Sequence, residues 1–207
     1  MSFEKVNEEI IKGLKEMGIT QPTEIQAKAI PLILEGKHVI GGSKTGSGKT
    51  AAFGIPILQL IQPGQGLQAV ILSPTRELAV QISNELMKFG KHINFNIATV
   101  YGGVGYQPQI DAMRKADVLV ATPGRMLDHL RQDNIRFEKV KIFALDEADK
   151  MVEMGFIEDV EQILSQTPKN RQILLFGATI SNEIENIQKK YMPESVSVEA
   201  ERHVKED

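Results

Sequence analysis

Ser43-Lys44-Thr45-Gly46-Ser47-Gly48-Lys49-Thr50 is the stretch of sequence that decides the fold. It is preceded by the apolar run His38-Val39-Ile40 and followed by Ala51-Ala52-Phe53, which begins a segment compatible with a helix. A strand, a glycine-rich turn and a helix in this order place backbone N–H groups at a helix N-terminus, where they can bind a phosphate. The stretch therefore predicts a nucleotide site between a strand and a helix.

Each residue type in this phosphate loop has a chemical reason. Gly46 and Gly48 permit backbone angles and a close approach that a Cβ atom would prevent. Lys49 supplies a mobile cation, and Thr50 supplies a hydroxyl ligand for Mg²⁺. The pattern G-x-x-x-x-G-K-[ST] is not fully met, because Ser43 stands at its first glycine position. The alternative interpretation is an ordinary Gly/Ser loop that caps a helix.

Composition predicts one substantial domain and restricts its chemistry. The 207 residues are 42% hydrophobic and 25% charged, which is enough to bury a sizeable core. The net charge of -3 argues against a diffuse basic surface for nucleic acids, so any such contact is expected to be local. The chain has no cysteine, which excludes disulfides, thiolate chemistry and cysteine-based zinc sites.

No targeting segment, membrane partner or metal cluster is expected from the sequence. The N-terminus, Met1-Ser2-Phe3-Glu4-Lys5, lacks the apolar core of a signal peptide, and no apolar run approaches the ~20 residues that span a bilayer. The sequence therefore predicts a soluble, cytoplasmic protein. The four histidines lack the spacing of metal ligands and are expected to be structural or surface residues: His38, His92, His129 and His203.

The rest of the chain has the pattern of an α/β fold. Apolar residues from Val6 to Met17 recur at helical spacing, and Gly18 is placed to end that helix. Thr23-Glu24-Ile25-Gln26 has the spacing of a capping box and predicts a second helix toward Gly36. Apolar strands are then expected at 38–41, 69–73, 95–101, 117–121, 142–145 and 172–176, with helical segments between them. Such alternation predicts a mostly parallel sheet with helices on both faces.

An acidic cluster follows the strand expected at 142–145, and it reads Asp146-Glu147-Ala148-Asp149. Asp146 can hold a Mg²⁺ ion beside the phosphate loop, and Glu147 can orient or deprotonate an attacking water. The alternative is a helix N-terminus whose acidic residues suit the helix dipole. Together with the phosphate loop, the two carboxylates predict hydrolysis of a nucleoside triphosphate.

The same four residues spell the signature of the DEAD-box RNA helicases, and the chain resembles that family from Phe3 to about residue 198. Seven first-domain motifs of the family have counterparts in the same order. The acidic cluster resembles motif II, the phosphate loop resembles motif I, and Gly18 to Gln26 resembles the Q motif, with Phe3 as its upstream aromatic. Pro74-Thr75-Arg76-Glu77-Leu78 resembles motif Ia, and Gly102-Gly103 resembles the GG motif. Thr122-Pro123-Gly124-Arg125 resembles motif Ib, and Gly177-Ala178-Thr179 resembles motif III. The resemblance implies a RecA-like P-loop NTPase domain.

The resemblance also implies that ATP and Mg²⁺ are the cofactors. It makes Lys49, Asp146 and Glu147 catalytic, and it assigns the Mg²⁺ ion to Thr50 and Asp146, partly through water. All residues of the phosphate loop and Asp146 would contact the nucleotide.

The Q motif would bind adenine, with contacts assigned to Phe3, Ile19, Gln21 and Gln26. The amide of Gln26 can donate to and accept from the adenine edge at once, which would select ATP. Its alternative role is the capping box, and both roles can hold. Ile19 stands where the family commonly has an aromatic residue, so adenine is expected to meet an aliphatic platform.

Motifs Ia, GG and Ib would bind the backbone of single-stranded or duplex RNA without reading its sequence. Arg76 and Arg125 offer guanidinium forks for phosphate, and Thr75 and Thr122 offer neutral hydroxyl donors. The prolines and glycines of these motifs form tight turns in which backbone amides are available. Taken alone, such turns are more often simple turn and cap signals.

Motif III and the acidic motif would couple two domains in the family's active enzyme. The coupling residues would be Asp149, Gly177, Ala178 and Thr179, and Gly177 replaces the usual serine. The second RecA-like domain supplies an arginine that is worth about 10³ to 10⁵ in rate in related systems. The chain is therefore expected to be a monomeric first domain, residues 1–198, that hydrolyses ATP poorly without the second domain in cis. The charged segment 199–207 would be a solvated tail or the start of a linker.

Two other classes of function fit part of the pattern. A P-loop ATPase on the same RecA-like sheet could move DNA or protein, and RNA preference in a matched titration distinguishes the helicase from it. A nucleotide-responsive binding module without turnover is the non-enzymatic alternative. Retained partner affinity in a Lys49 variant would favour that module.

Overall fold

Seven strands form one sheet in the described chain, and every neighbouring pair is parallel. The structure is a computed structural model that describes residues 3–42, 46 and 48–200. The strands are β1 (Val39–Gly42), β2 (Ala69–Leu72), β3 (Ile97–Val100), β4 (Val118–Ala121), β5 (Ile142–Leu145), β6 (Gln172–Gly177) and β7 (Val196–Glu199). Their order across the sheet is β3-β4-β2-β5-β6-β1-β7. Ser43, Lys44, Thr45 and Ser47 of the predicted phosphate loop and residues 201–207 of the predicted tail lie outside the described residues.

Helices cover both faces of the sheet. Within the described residues they are α1 (Glu8–Glu16), α2 (Glu24–Leu34), α3 (Lys49–Leu60), α4 (Arg76–Phe89), α5 (Tyr106–Lys115), α6 (Pro123–Arg131), α7 (Ala148–Glu153), α8 (Ile157–Leu164) and α9 (Asn182–Tyr191). Buried side chains of α1 to α4 form one apolar cluster with the sheet. Those of α5 to α9 form a second cluster on the opposite face.

The central strands are apolar along their whole length because they are covered on both sides. In β2, Ala69 and Ile71 belong to one cluster, whereas Val70 and Leu72 belong to the other. Successive side chains of a strand point to opposite faces, so a doubly covered strand has no polar position. The prediction of an α/β fold with a parallel sheet between two helical layers is confirmed.

Strand β7 was not predicted, and its last residue is one position beyond the domain end expected at residue 198. Val196 to Glu199 pairs in parallel with β1 at the edge of the sheet, and only Val198 of its four residues is fully buried. The carbonyl oxygen of Glu199 accepts a hydrogen bond of 2.8 Å from Nζ of Lys28. Glu199 is therefore the last residue of a strand, and the expected role of 199–207 as a solvated tail or the start of a linker stays a prediction. A short, half-exposed edge strand lacks the continuous apolar run that identifies the central strands.

The first two helices begin and end as their sequence indicates. Gly18 follows α1 with a φ of +78°, a left-handed conformation that commonly ends a helix. Thr23 precedes α2, and its backbone N–H donates to Oε1 of Gln26 at 3.0 Å. Helix α2 continues through Pro31 to Leu34. None of the helices in the described residues has the length and apolar character needed to cross a bilayer.

A glycine on β1 sets the distance between two strands that carry predicted motifs. Gly41 lies opposite Phe176 of β6 in the parallel register. A Cβ atom at residue 41 would lie 2.3 Å from Cε1 of that ring, so only glycine fits without a shift. The Phe176 ring also contacts Phe53 of α3, with ring centroids 5.4 Å apart. This packing fixes the carboxyl end of β1 relative to the carboxyl end of β6, where motif III begins.

Candidate nucleotide and nucleic-acid site

The predicted motifs of the described chain lie at one edge of the sheet. Six of the seven motifs come at or just after the carboxyl end of a strand, and open α/β sheets bind their ligands at that edge; the Q motif lies between α1 and α2. The pairs of strand and following motif are β1 and the phosphate loop, β2 and motif Ia, β3 and the GG motif, β4 and motif Ib, β5 and the acidic motif, and β6 and motif III.

Lys49 is the centre of the site. It is the first residue of α3, and its buried ammonium lies 3.1 Å from Oδ1 of Asp146 and 3.2 Å from Oε1 of Glu147. Gly46 and Gly48 have φ values of +86° and +84°, so both adopt the left-handed backbone expected of the loop glycines. The structure thus brings the phosphate loop and the two predicted catalytic carboxylates together.

Asp146 is fully buried and carries an oxygen that can serve as a ligand. Its Oδ1 accepts from the backbone N–H of Glu147 at 2.9 Å and contacts Lys49. Among the described residues, its Oδ2 has no hydrogen-bond partner. Burial raises the pKa of Asp146, and the positive charge of Lys49 opposes that rise. A buried carboxylate oxygen without a partner suits a hard cation such as Mg²⁺, so the residues present fit the predicted ion.

Glu147 has a backbone conformation that is unusual for its residue type. Its φ and ψ are 52° and 50°, in the left-handed region that costs a non-glycine residue about 1–2 kcal/mol. This conformation places its carboxylate between Lys49 and Lys150, whose Nζ lies 3.4 Å from Oε2. Strain of this kind clusters at functional sites.

Gln26 joins the Q motif to the phosphate loop. The buried amide accepts from the backbone N–H of Thr23 and donates through Nε2 to the carbonyl oxygen of Gly48 at 3.0 Å. A Cβ atom at residue 48 would lie 2.5 Å from the same Nε2. The capping-box contact therefore exists together with a bond to the loop, and each amide atom keeps capacity for one further bond. The predicted contact of Gln26 with adenine stays a prediction.

A cavity of about 200 Å³ opens beside Gln26. The residues that line it are Phe3, Glu4, Pro22, Gln26, Ala27, Ile30 and Pro31. Phe3 and Gln26 were predicted, whereas the wall formed by α2 was missed. Its positions 26, 27, 30 and 31 share one helical face, so helical spacing from Gln26 could have identified them. Ile19 and Gln21 are not among the described lining residues; Ile19 packs against the core and Gln21 is exposed.

Arg76 of motif Ia is exposed and partly held by an aromatic ring. It begins α4, where Oγ1 of Thr75 accepts from the backbone N–H of Leu78 at 3.2 Å. Thr75 is therefore a helix cap, as the alternative interpretation of this turn required. The guanidinium carbon of Arg76 lies 4.6 Å from the ring centroid of Tyr101, which the sequence analysis did not single out.

Arg125 of motif Ib is oriented by three groups near the GG motif. Its Nη1 donates to the carbonyl oxygen of Val104 at 2.8 Å and to Oε1 of Gln109 at 3.2 Å. Its guanidinium carbon lies 4.0 Å from the ring centroid of Tyr106. All three partners were missed, although Tyr101 and Tyr106 flank Gly102-Gly103 in the sequence and aromatic residues there are a usable signal.

The glycines of these turns leave open space for a ligand. A Cβ atom at Gly102, Gly103 or Gly124 would meet nothing within 4 Å in the described chain. Thr122 precedes α6, and Pro123 occupies its first turn. A ligand backbone can therefore approach the main chain closely at these points.

Motif III lies against the acidic motif. Gly177 ends β6, and a Cβ atom there would lie 3.0 Å from Oδ1 of Asp149. Ala178 and Thr179 form an exposed bend immediately after it. The predicted coupling residues are thus neighbours. Separately, within residues 3–42, 46 and 48–200 there is no group of three or more His, Cys, Asp or Glu side chains that could hold a metal ion.

Comparisons with known proteins agree with this geometry. The chain is 45% identical over 195 residues to a probable ATP-dependent RNA helicase of Methanocaldococcus jannaschii, with 93% of this chain and 53% of the relative covered. It is 47% identical over 199 residues to the DEAD-box ATP-dependent RNA helicase CshA of Geobacillus kaustophilus, with 94% and 43% covered. The chain spans about half the length of these curated relatives.

Solved structures give the same result. A DEAD box protein from Methanococcus jannaschii superposes with a TM-score of 0.95 at 43% identity, over 97% of this chain and 56% of that one. A hypothetical ATP-dependent RNA helicase from Sulfolobus tokodaii gives 0.88 at 45% identity, over 94% and 57%. The family model described as DEAD/DEAH box helicase matches residues 23–187. The predicted resemblance is confirmed, and the chain belongs to the DEAD/DEAH box helicase family.

Proposed function

We propose that residues 1–198 are the first RecA-like domain of an ATP-dependent RNA helicase. The domain binds ATP with Mg²⁺ at the phosphate loop and binds the RNA backbone along the same sheet edge. Joined to a second RecA-like domain, it couples hydrolysis to local separation of RNA strands. The observation that carries this proposal is the buried contact of Lys49 with Asp146 and Glu147. The names of the relatives support the choice of ATP and RNA.

Lys49 has a role in binding phosphate because it is a buried cation at a helix N-terminus. Transfer of its ammonium to phosphate oxygens would release both carboxylates. Thr50 and Asp146 would hold Mg²⁺, which neutralises charge on the phosphates. Glu147, no longer paired with Lys49, is then free to orient the attacking water and accept its proton.

Arg76 and Arg125 supply positive charge for RNA, and the open glycines supply backbone amides. The ring under each guanidinium restricts its motion while the charge stays available to a phosphate. Contacts of this type position a nucleic acid without reading bases. The mechanism therefore predicts binding of RNA with little dependence on sequence.

The second domain would complete hydrolysis by supplying the arginine named above. This chain alone is then expected to bind ATP and to turn it over slowly, with little stimulation by single-stranded RNA. Steady-state ATPase rates with and without RNA measure this directly. Strong stimulation of the chain on its own would contradict the need for a second domain.

Two substitutions separate the roles at the nucleotide site. Lys49→Ala should abolish binding of a fluorescent ATP analogue, because it removes the cation from the loop. Glu147→Gln should retain that binding and block hydrolysis. Lys150→Ala is the matched control, since this lysine also contacts Glu147 but is exposed. Equal loss of binding in the Lys49 and Glu147 variants would refute the assigned roles.

A further inference from the structure

Behind Arg125 lies a buried polar network that the proposed function does not use. Gln109 of α5 and His129 of α6 are both buried, and Nε2 of His129 lies 2.9 Å from Oε1 of Gln109. Nε2 of Gln109 donates to the carbonyl oxygen of Tyr101 at 2.8 Å. This bond directs Oε1 of Gln109 toward both His129 and Arg125.

The network has a consistent set of donors and acceptors. Oε1 of Gln109 accepts, so Nε2 of His129 carries the proton and donates. Nδ1 of His129 then accepts from Nδ2 of Asn134 at 3.0 Å. Burial lowers the pKa of His129, which agrees with a neutral ring. Each of these buried polar atoms therefore has a partner, and the position of Gln109 is fixed from both ends.

The orientation of Arg125 depends on Gln109. Nη1 of Arg125 is bonded to Gln109 and to the carbonyl oxygen of Val104, while the ring of Tyr106 lies against the guanidinium. In the part of the chain that the structure describes, the hydrogen bonds of this guanidinium use Nη1 only. The edge that carries Nε and Nη2 is the edge that binds a phosphate with two parallel hydrogen bonds.

We propose that Gln109 is a positioning residue for RNA binding, which acts by holding Arg125 with its Nε and Nη2 edge available to a phosphate. Its bond to the carbonyl oxygen of Tyr101 fixes the orientation of the Gln109 amide, so Oε1 faces Arg125. His129 orients Gln109 from behind. This inference rests on the proposed function, because it requires that Arg125 contact RNA.

The chemistry of the network favours positioning over stability alone. Burying polar side chains in an apolar cluster gives little net stability, and apolar residues of similar volume often serve as well. An apolar residue at position 109 could fill the same space, but it would leave Nη1 of Arg125 with one partner instead of two. A loss that appears only when Arg125 is present identifies the positioning role.

The test is a double-mutant cycle on this chain with a fluorescein-labelled single-stranded RNA, measured by anisotropy. Gln109→Met should weaken RNA binding about fivefold, the equivalent of one ordinary hydrogen bond. In the Arg125→Ala background the same change should have no further effect. Gln107→Met is the matched control, because Gln107 is an exposed glutamine of the same helix whose amide donates to Asp111 of that helix. The dissociation constant for ATP should be unchanged in Gln109→Met, which shows that the domain is folded.

The outcomes are distinguishable. Equal losses from Gln109→Met in both backgrounds would overturn the positioning role and leave the proposed function intact. Unchanged RNA affinity in Arg125→Ala would overturn the RNA role of Arg125, and the positioning role with it.

Discussion

Replacing Gly41 with alanine should destabilise the domain, because the new methyl group would overlap the ring of Phe176. The Cβ atom would lie 2.3 Å from Cε1 and 2.5 Å from Cδ1 of that ring. Carbon atoms in contact are about 3.5–4.0 Å apart, so the overlap exceeds 1 Å by this measure. Phe176 is fully buried and also packs against Phe53, so a shift of its ring would disturb that contact.

The size of the effect follows from two opposing contributions. Alanine in place of a strand glycine contributes about 0.5–1 kcal/mol through lower backbone entropy. Overpacking a buried site typically costs about 1–3 kcal/mol, and the large overlap places Gly41 toward the upper end. We expect a net loss of about 2 kcal/mol in the free energy of unfolding, which lowers Tm by about 4–8 °C in a domain of this size.

Urea denaturation followed by circular dichroism measures this loss. In the double variant Gly41→Ala with Phe176→Leu, the ring is absent, so the combined loss should fall short of the sum by about 1 kcal/mol. Gly124→Ala is the control, because its Cβ atom meets nothing within 4 Å and it lies in α6. Additive losses, or a Gly41→Ala variant as stable as the parent, would refute the role of the ring.

Three further outcomes follow from the contacts of the site. Burial raises the pKa of Asp146 above its ordinary value of 3.8, so the carboxyl group stays protonated to a higher pH in the folded chain than in the unfolded chain. The stability that this protonated carboxyl contributes at low pH is therefore lost as the pH rises through the folded pKa. Asp146→Asn should therefore gain stability relative to the parent as the pH rises above the ordinary pKa, measured by urea titration, and a stability difference that does not change with pH would contradict the raised pKa. Gly177→Ser should stabilise the domain by about 1 kcal/mol, because the hydrogen bond of its hydroxyl to Asp149 and the strand propensity gained exceed the cost of shifting Oδ1, which would lie 3.0 Å from the new Cβ atom. Gly177→Ala adds the same Cβ atom and strand propensity without the hydroxyl, and equal Tm values for the two variants would show that the hydroxyl forms no hydrogen bond with Asp149. Gln26→Leu should lower the free energy of unfolding by about 1–3 kcal/mol, since it leaves the N–H of Thr23 and the carbonyl of Gly48 without their partner. ATP binding measured by calorimetry should weaken in parallel, whereas ATP binding as tight as that of the parent would show that the bond from Gln26 to Gly48 does not support the phosphate loop.

The features that the sequence predicts correctly are those determined by residues close to one another in the chain. The central strands are covered on both faces, so their apolar runs identify them without tertiary information. The phosphate loop and the acidic motif follow such strands, and parallel topology then brings Lys49 to Asp146. The order of strands and motifs in the sequence therefore predicts the position of the nucleotide site.

The missed features depend on contacts between distant segments. Strand β7 is stabilised by its pairing with β1, which no local pattern shows. The bond from Gln26 to Gly48 joins segments 22 residues apart, and the partners of Arg125 come from a turn and helix about 20 residues earlier. The left-handed conformation of Glu147 is unfavourable for its residue type, so propensity argues against it. These are the places where tertiary structure overrides local preference.

The charge of the buried Asp146 is balanced by Lys49, a cation that the proposed function assigns to phosphate. Lys49 contacts both Asp146 and Glu147, Lys150 also contacts Glu147, and the Oδ2 atom of Asp146 has no partner in the described chain. If Lys49 turned to a phosphate, Asp146 would be left as a buried carboxylate without a cation, which is strongly unfavourable. A divalent cation at Asp146 removes that penalty. The nucleotide draws the charge of Lys49 away from Asp146, and the divalent cation replaces that charge. Nucleotide and metal are therefore expected to bind cooperatively.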